Sequence, residues 1–398
     1  MIKRYGLLLA ITMVYCLTFS QNAGKRYYQE IFTNVQSANY TYGRNAPVFG
    51  DSIDLTLDLY EPVGDKETKR PLIVLAFGGA FVTGDRTQLG EEAKYFARLG
   101  YVAACIDYRI WPILLAGFPD STNISRVAVM AISDMKASIR YLKSRAGDFK
   151  IDSSLIFVGG VSAGAVTAIQ TAYLDPKDSI STGLRTLINT NGGFDGNSNT
   201  IPGTSNVKGV LNLSGAIFNL NWISQGEAPI ASIHGTNDAT VPFLTDRAVG
   251  IITMNGSGAM APVLSSKKIP NFLVAVPGGQ HTDIYFDTKY KPYLDSFTLK
   301  ATKMFADIIG GNILLDIQRQ FNVEYKIYPN PATDHLSIES EKRPISVQLY
   351  NLEGQAMPVQ VRDKNVYWNT SQIPQGLYYA VIHFDAFSPQ VISKIVIQ

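Results

Sequence analysis

The chain has 398 residues, 46% of them apolar and 17% charged, and 35 Lys and Arg stand against 33 Asp and Glu for a net charge of +2. That length predicts two or three domains, and the apolar fraction excludes a disordered, collagen-like or disulfide-stapled chain. So even a charge balance gives no reason to expect nucleic acid or an anionic membrane surface as a partner.

Lys3 and Arg4 precede an apolar run from Leu7 to Phe19, with small or polar residues at Thr18 and Ser20. A basic start, a short apolar centre and a small exit predict a secretory signal peptide over residues 1–20, cut near Ser20 or Ala23. The run is shorter than the ~20 residues a spanning helix needs, so no transmembrane anchor is expected. Cleavage would remove Cys16 and leave Cys105, inside the apolar run Tyr101–Ile106, as a core residue rather than a nucleophile.

Residues 25–310 alternate apolar strand-like runs with helical spacing. The expected strands are Leu72–Ala76, Tyr101–Ile106, Leu155–Val158, Val207–Leu213, Ile230–Ile233 and Phe272–Val276. Between them, Ala128, Ile132, Met135, Ile139 and Leu142 recur at helical spacing, as do Leu294, Phe297, Ala301, Met304, Phe305 and Ile308. This alternation predicts an α/β fold, a doubly wound and mostly parallel sheet with helices on both faces. Ligand sites in such sheets lie at the carboxyl ends of the strands, so the loops after each strand carry the interest.

After Leu72–Ala76 comes Phe77-Gly-Gly-Ala-Phe-Val-Thr-Gly84, whose paired glycines let the main chain turn its amides toward a ligand. After Leu155–Val158 comes Gly160-Val161-Ser162-Ala163-Gly164, followed by helical spacing at Val166, Ile169 and Tyr173. Gly-x-Ser-x-Gly between a strand and a helix is the form of a nucleophile elbow, because only glycine fits on either side of so tight a turn. The serine needs an imidazole to take its proton. Of the four histidines, His281 in the flexible loop Pro277-Gly-Gly-Gln-His281 is the expected base, while His234 ends a strand and suits a supporting role. The acid expected to orient it is Asp238, at the exit of strand Ile230–Ile233, in preference to Asp246 and Asp283. The expected oxyanion donors are the amides of Gly79, Ala80 and Ala163. The order Ser162…Asp238…His281 is that of α/β-hydrolases.

Two loops carry weaker signals. Trp111 to Phe118 could line an acyl pocket or pack on the core, and residues 175–206 could form a lid or a floppy insertion. No metal-ligand spacing, phosphate-binding loop or dinucleotide fingerprint is present in the sequence, so no cofactor and no metal are expected.

Beyond Gly310–Gly311 the character changes. Short alternating runs at Ser346–Tyr350, Leu377–Ile382 and Ser393–Ile397, punctuated by turn residues, predict a small all-β sandwich over residues 324–398, joined through a linker at 311–323.

Two resemblances follow from these residues. Phe77–Gly84, Ile106-Asp-Tyr-Arg109, the Ser162 elbow and His234-Gly-Thr-Asn-Asp238 resemble type B carboxylesterases and the hormone-sensitive-lipase-like esterases. That resemblance implies serine-dependent ester hydrolysis. It departs at Phe77, where those families carry a histidine that shapes the oxyanion loop. Tyr328-Pro-Asn-Pro-Ala-Thr-Asp334, Leu349-Tyr-Asn-Leu-Glu-Gly-Gln355, Gly376-Leu-Tyr-Tyr379 and Lys394-Ile-Val-Ile397 resemble the C-terminal sorting domain of type IX secretion in Bacteroidetes. It implies export to the cell surface or medium, with the type IX machinery as partner. The resulting expectation is an exported serine esterase acting on small-molecule or polymer-linked esters. A serine peptidase of the same fold and a non-catalytic binding protein on a hydrolase scaffold are the alternatives.

Overall fold

Strand β1 (Val35–Asn45) carries mostly polar side chains, but strand β2 (Ile53–Pro62) alternates Leu55, Leu57 and Leu59 onto one buried face. That two-residue period commits one side of β2 to the core and leaves β1 to cover its free edge as an antiparallel partner. The next strands, β3 (Arg70–Ala76) and β4 (Val102–Ile106), are buried at every position, as expected of strands covered on both faces. Strands β5 (Ile151–Val161) and β6 (Gly209–Leu213) continue the sheet; β7 (Ala216–Ile217) lies outside it, and β8 (Ile230–Gly235) rejoins it. Strands β9 (Thr245–Ala248) and β10 (Ile252–Gly256) form a small antiparallel sheet with β7, and β11 (Asn271–Val276) closes the large one.

These ranges come from a computed structural model that describes residues 25–311, 325–340, 344, 346–351, 355–358, 360–362, 366–383 and 391–398. The expected signal peptide at 1–20 and nearly all of the expected linker at 311–323 lie outside the described residues.

The large sheet has the order β1-β2-β4-β3-β5-β6-β8-β11. From β4 to β11 every neighbouring pair is parallel, whereas β1, β2 and β4 pair antiparallel. All six expected strands are present in this sheet, with β5 starting four residues earlier than its apolar run suggested and β6 starting two later. Helices Ser121–Ser144 and Ala163–Tyr173 pack in one core, and helices Gly90–Leu99 and Lys291–Ile309 in a second core. Cys105 is buried in this second core and its Sγ donates to the Leu89 carbonyl, a packing role. Among the described residues no helix is long and apolar enough to cross a membrane.

Residues 175–206 are tied to the long helix Ser121–Ser144 and to β1. Their helix Thr182–Thr190 buries Ile188, and beyond it Lys136 and Arg140 of the long helix donate to the carbonyls of Phe194 and Asp195. Asn199 donates to the carbonyls of Tyr42 and Ala137, and the Ser198 hydroxyl joins the Arg109–Asp134 pair. That pair is almost fully buried, with Asp134 accepting from Arg109 Nε and Nη2 at 2.8–3.1 Å and from the Arg109 backbone amide at 2.8 Å. A buried guanidinium stripped of its carboxylate has nowhere to place its charge. Asp134→Ala is therefore expected to cost about 3–5 kcal/mol of stability, read from urea unfolding.

Among the described residues, the C-terminal strands form two four-stranded antiparallel sheets. Leu336, Ile338 and Trp368 of one meet Leu349, Ala380, Ile382 and Ile395 of the other in a common core, the expected small β-sandwich.

Candidate active site

Ser162 sits where β5 ends and helix Ala163–Tyr173 begins, with φ 55° and ψ −120°. A side chain pays for so strained a conformation only where the surroundings over-determine it. The Ser162 amide donates to the Leu213 carbonyl at 2.8 Å, and its carbonyl accepts from Val166 at 2.9 Å, pinning both sides of the turn. A Cβ at Gly164 would lie 2.0 Å from the Ala76 carbonyl oxygen, and one at Gly160 2.5 Å from the same atom. The spacing of the motif is thus dictated by the neighbouring strand β3.

His281 and Asp238 meet because β8 and β11 are adjacent parallel strands in register, with His234 opposite Ala275 and Gly235 opposite Val276. The loops leaving the two strands continue the pairing. Thr236 donates to the Val276 carbonyl, Asn237 to the Gly279 carbonyl, and Gly278 to the Thr236 hydroxyl. Gly235 has no room for a side chain, since a Cβ there would be 2.3 Å from the Gly279 oxygen.

The result is one continuous line of contacts. His281 Nε2 lies 2.8 Å from Ser162 Oγ, and His281 Nδ1 lies 2.6 Å from Asp238 Oδ2. Asp238 Oδ1 accepts from the amides of Thr240 and Val241 at 2.8 and 2.9 Å. Burial alone would push the Asp238 carboxyl up, but hydrogen bonds from His234 and His281 outweigh it and hold the group well below the usual carboxylate range. Asp238 is therefore an acceptor only, so Nδ1 of His281 carries the proton and Nε2 is left to accept from the serine.

A cavity opens in front of Ser162, lined by Ala80, Phe81, Ile124, Ala163, Val166 and Met254 among others. Ala80 and Ala163 line the same cavity as Ser162, while Gly79 stands one residue back, its carbonyl accepting from Val82 and Thr83. Ala80 and Phe81 both hold positive φ, at 53° and 62°. At Phe77, where a histidine was expected by resemblance, the ring is buried and stacks on Tyr108 with centroids 4.1 Å apart. The Tyr108 hydroxyl donates to the Phe77 carbonyl at 2.8 Å, so stacking plus one hydrogen bond fixes the base of the loop. Arg86, just beyond the loop, is more than a solvated charge: it reaches both Asp107 and Asp58.

Asp246 and Asp283 take other roles. Asp246 Oδ1 accepts from the next amide, and Asp283 Oδ1 from the Gln280 amide, which braces the histidine loop. The run from Trp111 to Phe118 does not supply the named cavity walls. Trp111 turns into the core, where its amide donates to the Phe81 carbonyl, and Leu114, Leu115 and Phe118 face solvent. Sequence reading missed Ile124 and Met254 as cavity walls, since nothing in their local pattern distinguishes them from core residues. Among the described residues no group of three or more metal-ligating side chains comes together.

The BD-FAE family matches residues 57–217, which hold the glycine loop and the serine elbow, and the secretion system C-terminal sorting domain family matches residues 326–398. The chain has the fold of the α/β-hydrolases, and its C-terminal part matches a secretion sorting domain. The chain is 26% identical over 266 residues to a rice (Oryza sativa subsp. japonica) protein called a probable isoprenylcysteine alpha-carbonyl methylesterase, a match covering 60% of this chain and 58% of the rice protein. It is 30% identical over 118 residues to gut esterase 1 of Caenorhabditis elegans, covering 29% of this chain and 20% of that one. The chain thus spans less than two thirds of the curated relatives it matches. The propionate-bound esterase Est2 of Thermogutta terrifontis shares the fold, with a TM-score of 0.50 at 21% identity over 69% of this chain and 94% of that one.

Proposed function

We propose that this hydrolase is an exported serine carboxylic-ester hydrolase working through an acyl-enzyme. The carrying observation is the line Ser162–His281–Asp238, with contacts of 2.8 and 2.6 Å, opening on an apolar cavity. Ser162 Oγ attacks the ester carbonyl carbon as His281 Nε2 takes its proton, and Asp238 stabilises the imidazolium that results. The carbonyl oxygen becomes an oxyanion held by the amides of Ala80 and Ala163, with Gly79 as a further donor. The tetrahedral intermediate collapses, and His281 passes its proton to the departing alkoxide. Water then attacks the acyl-serine with His281 again as base, which frees the acid and restores Ser162.

Apart from Phe81, the cavity walls named above are short or slender apolar side chains, which suits small acyl groups on a simple alcohol or a carbohydrate. Export follows from the sorting domain, with type IX machinery as its partner. The test is labelling by a fluorophosphonate probe together with hydrolysis of p-nitrophenyl acetate. Labelling confined to Ser162 and turnover of the ester are expected; an unlabelled, inactive protein overturns the reading.

The loop supplies a second expected result. Gly79 holds φ +119°, and a Cβ there would lie 2.1 Å from the Thr83 carbonyl oxygen. Gly79→Ala must shift the amide of Ala80, so kcat on p-nitrophenyl acetate is expected to fall about 10²-fold while KM changes little.

A further inference from the structure

Behind the acid lies a second imidazole. His234, the penultimate residue of β8, is wholly buried, with Phe243 edge-on to it at 5.7 Å. Its Nε2 is 3.2 Å from Asp238 Oδ2, the same oxygen that receives His281, and 3.0 Å from the Val241 carbonyl. Its Nδ1 is 2.9 Å from the Ser257 hydroxyl.

The direction of this chain of hydrogen bonds is fixed from its far end. The Gly215 backbone amide can only donate, and it donates to Asn212 Oδ1 at 2.8 Å. That orients the Asn212 amide, whose Nδ2 donates to Ser257 Oγ and to Ser232 Oγ, each at 3.0 Å. Ser257 Oγ receives a hydrogen from Asn212, so its own proton is free to go to His234 Nδ1. The imidazole then accepts at Nδ1 and donates at Nε2, whose proton faces both the Val241 carbonyl at 3.0 Å and Asp238 Oδ2 at 3.2 Å.

We propose that His234 is a positioning residue, an imidazole held by the Gly215–Asn212–Ser257 chain and the Val241 carbonyl so that its Nε2–H also faces Asp238 Oδ2, the oxygen that receives His281. The inference rests on the Ser162–His281–Asp238 reading above and deepens it. Holding Oδ2 from a second side fixes the carboxylate plane from behind, so Oδ2 stays aimed at Nδ1 of His281. The other titratable groups facing this cluster are tyrosines. Tyr285, whose hydroxyl contacts Ser214 Oγ at 2.6 Å, is kept protonated by burial, and Tyr350 lies beyond the Phe243 ring at 6.1 Å.

The test is kcat and KM for p-nitrophenyl acetate in His234→Phe and His234→Gln, beside Ser162→Ala. Phenylalanine removes the donor and keeps the ring; glutamine can return an N–H near the Nε2 position. His234→Phe is expected to lose about 10- to 100-fold in kcat with KM within about twofold. His234→Gln is expected to restore most of that loss. Ser257→Ala, which leaves both imidazoles in place but frees the His234 tautomer, is expected to lower kcat with KM little changed, and it serves if His234→Phe does not fold. An unchanged kcat in the folded variants, or a glutamine variant no better than phenylalanine, overturns the proposal. Activity persisting in Ser162→Ala would instead overturn the underlying reading.

Discussion

Ser162→Ala is expected to lower kcat on p-nitrophenyl acetate by about 10⁶-fold, with the fold and thermal midpoint retained. The size of the effect comes from losing the hydroxyl that faces His281: apart from Thr240, the other residues lining the cavity are apolar. The fold should survive because the elbow is held by main-chain atoms, the Ser162 amide on Leu213 and its carbonyl receiving Val166. Alanine and serine bear the same Cβ, so both tolerate φ 55° equally, whereas glycine would relax the turn and confuse the outcome. Steady-state kinetics and circular dichroism on the same preparation check the result. Turnover within about 100-fold of the unsubstituted protein would show that another group attacks the ester.

Asp238→Asn is expected to lower kcat by about 10⁴-fold. The backbone decides how the new amide must lie. Thr240 and Val241 both donate to Oδ1, so the asparagine carbonyl oxygen takes that position and its –NH₂ falls where Oδ2 was. An N–H would then face Nδ1 of His281, which must become an acceptor, and the imidazole proton moves to Nε2. There it points at Ser162 Oγ, and the base can no longer take the serine proton. Stability should respond as well. A carboxylate whose folded pKa lies below its unfolded value contributes stability that is complete above about pH 4 and is lost as pH falls through the folded value. Asp238 is held low, so the substituted protein is expected to unfold more readily at pH 7 and to show a flatter acid limb of stability. Urea midpoints at pH 3, 5 and 7 measure it, and an unchanged midpoint at pH 7 would contradict the role given to the His234 and His281 hydrogen bonds.

Much of this protein was legible along the chain because local constraints write themselves into local patterns. Fully buried strands such as β3 and β4 must be apolar throughout, and the elbow needs Gly160 and Gly164 because Ala76 leaves no space for a Cβ. Strand β2 was equally readable in the alternation of Leu55, Leu57 and Leu59, yet it escapes a search for unbroken apolar runs. Strand β1 was not, since an edge strand with polar side chains looks like a loop until its partner is known.

Residue types, motif spacing and chain order were enough to select Ser162, His281 and Asp238, to separate an α/β domain from a β-sandwich, and to place a glycine loop after β3. Distances were beyond them. Only the parallel register of β8 and β11 brings the acid and base loops side by side, only the Tyr108 ring explains how Phe77 can stand where a histidine was expected, and only the packing of Ser257 against β6 and β8 turns His234 toward the carboxylate. These contacts join residues that lie between 23 and 45 positions apart, and no local periodicity encodes which buried polar atoms will meet across a sheet.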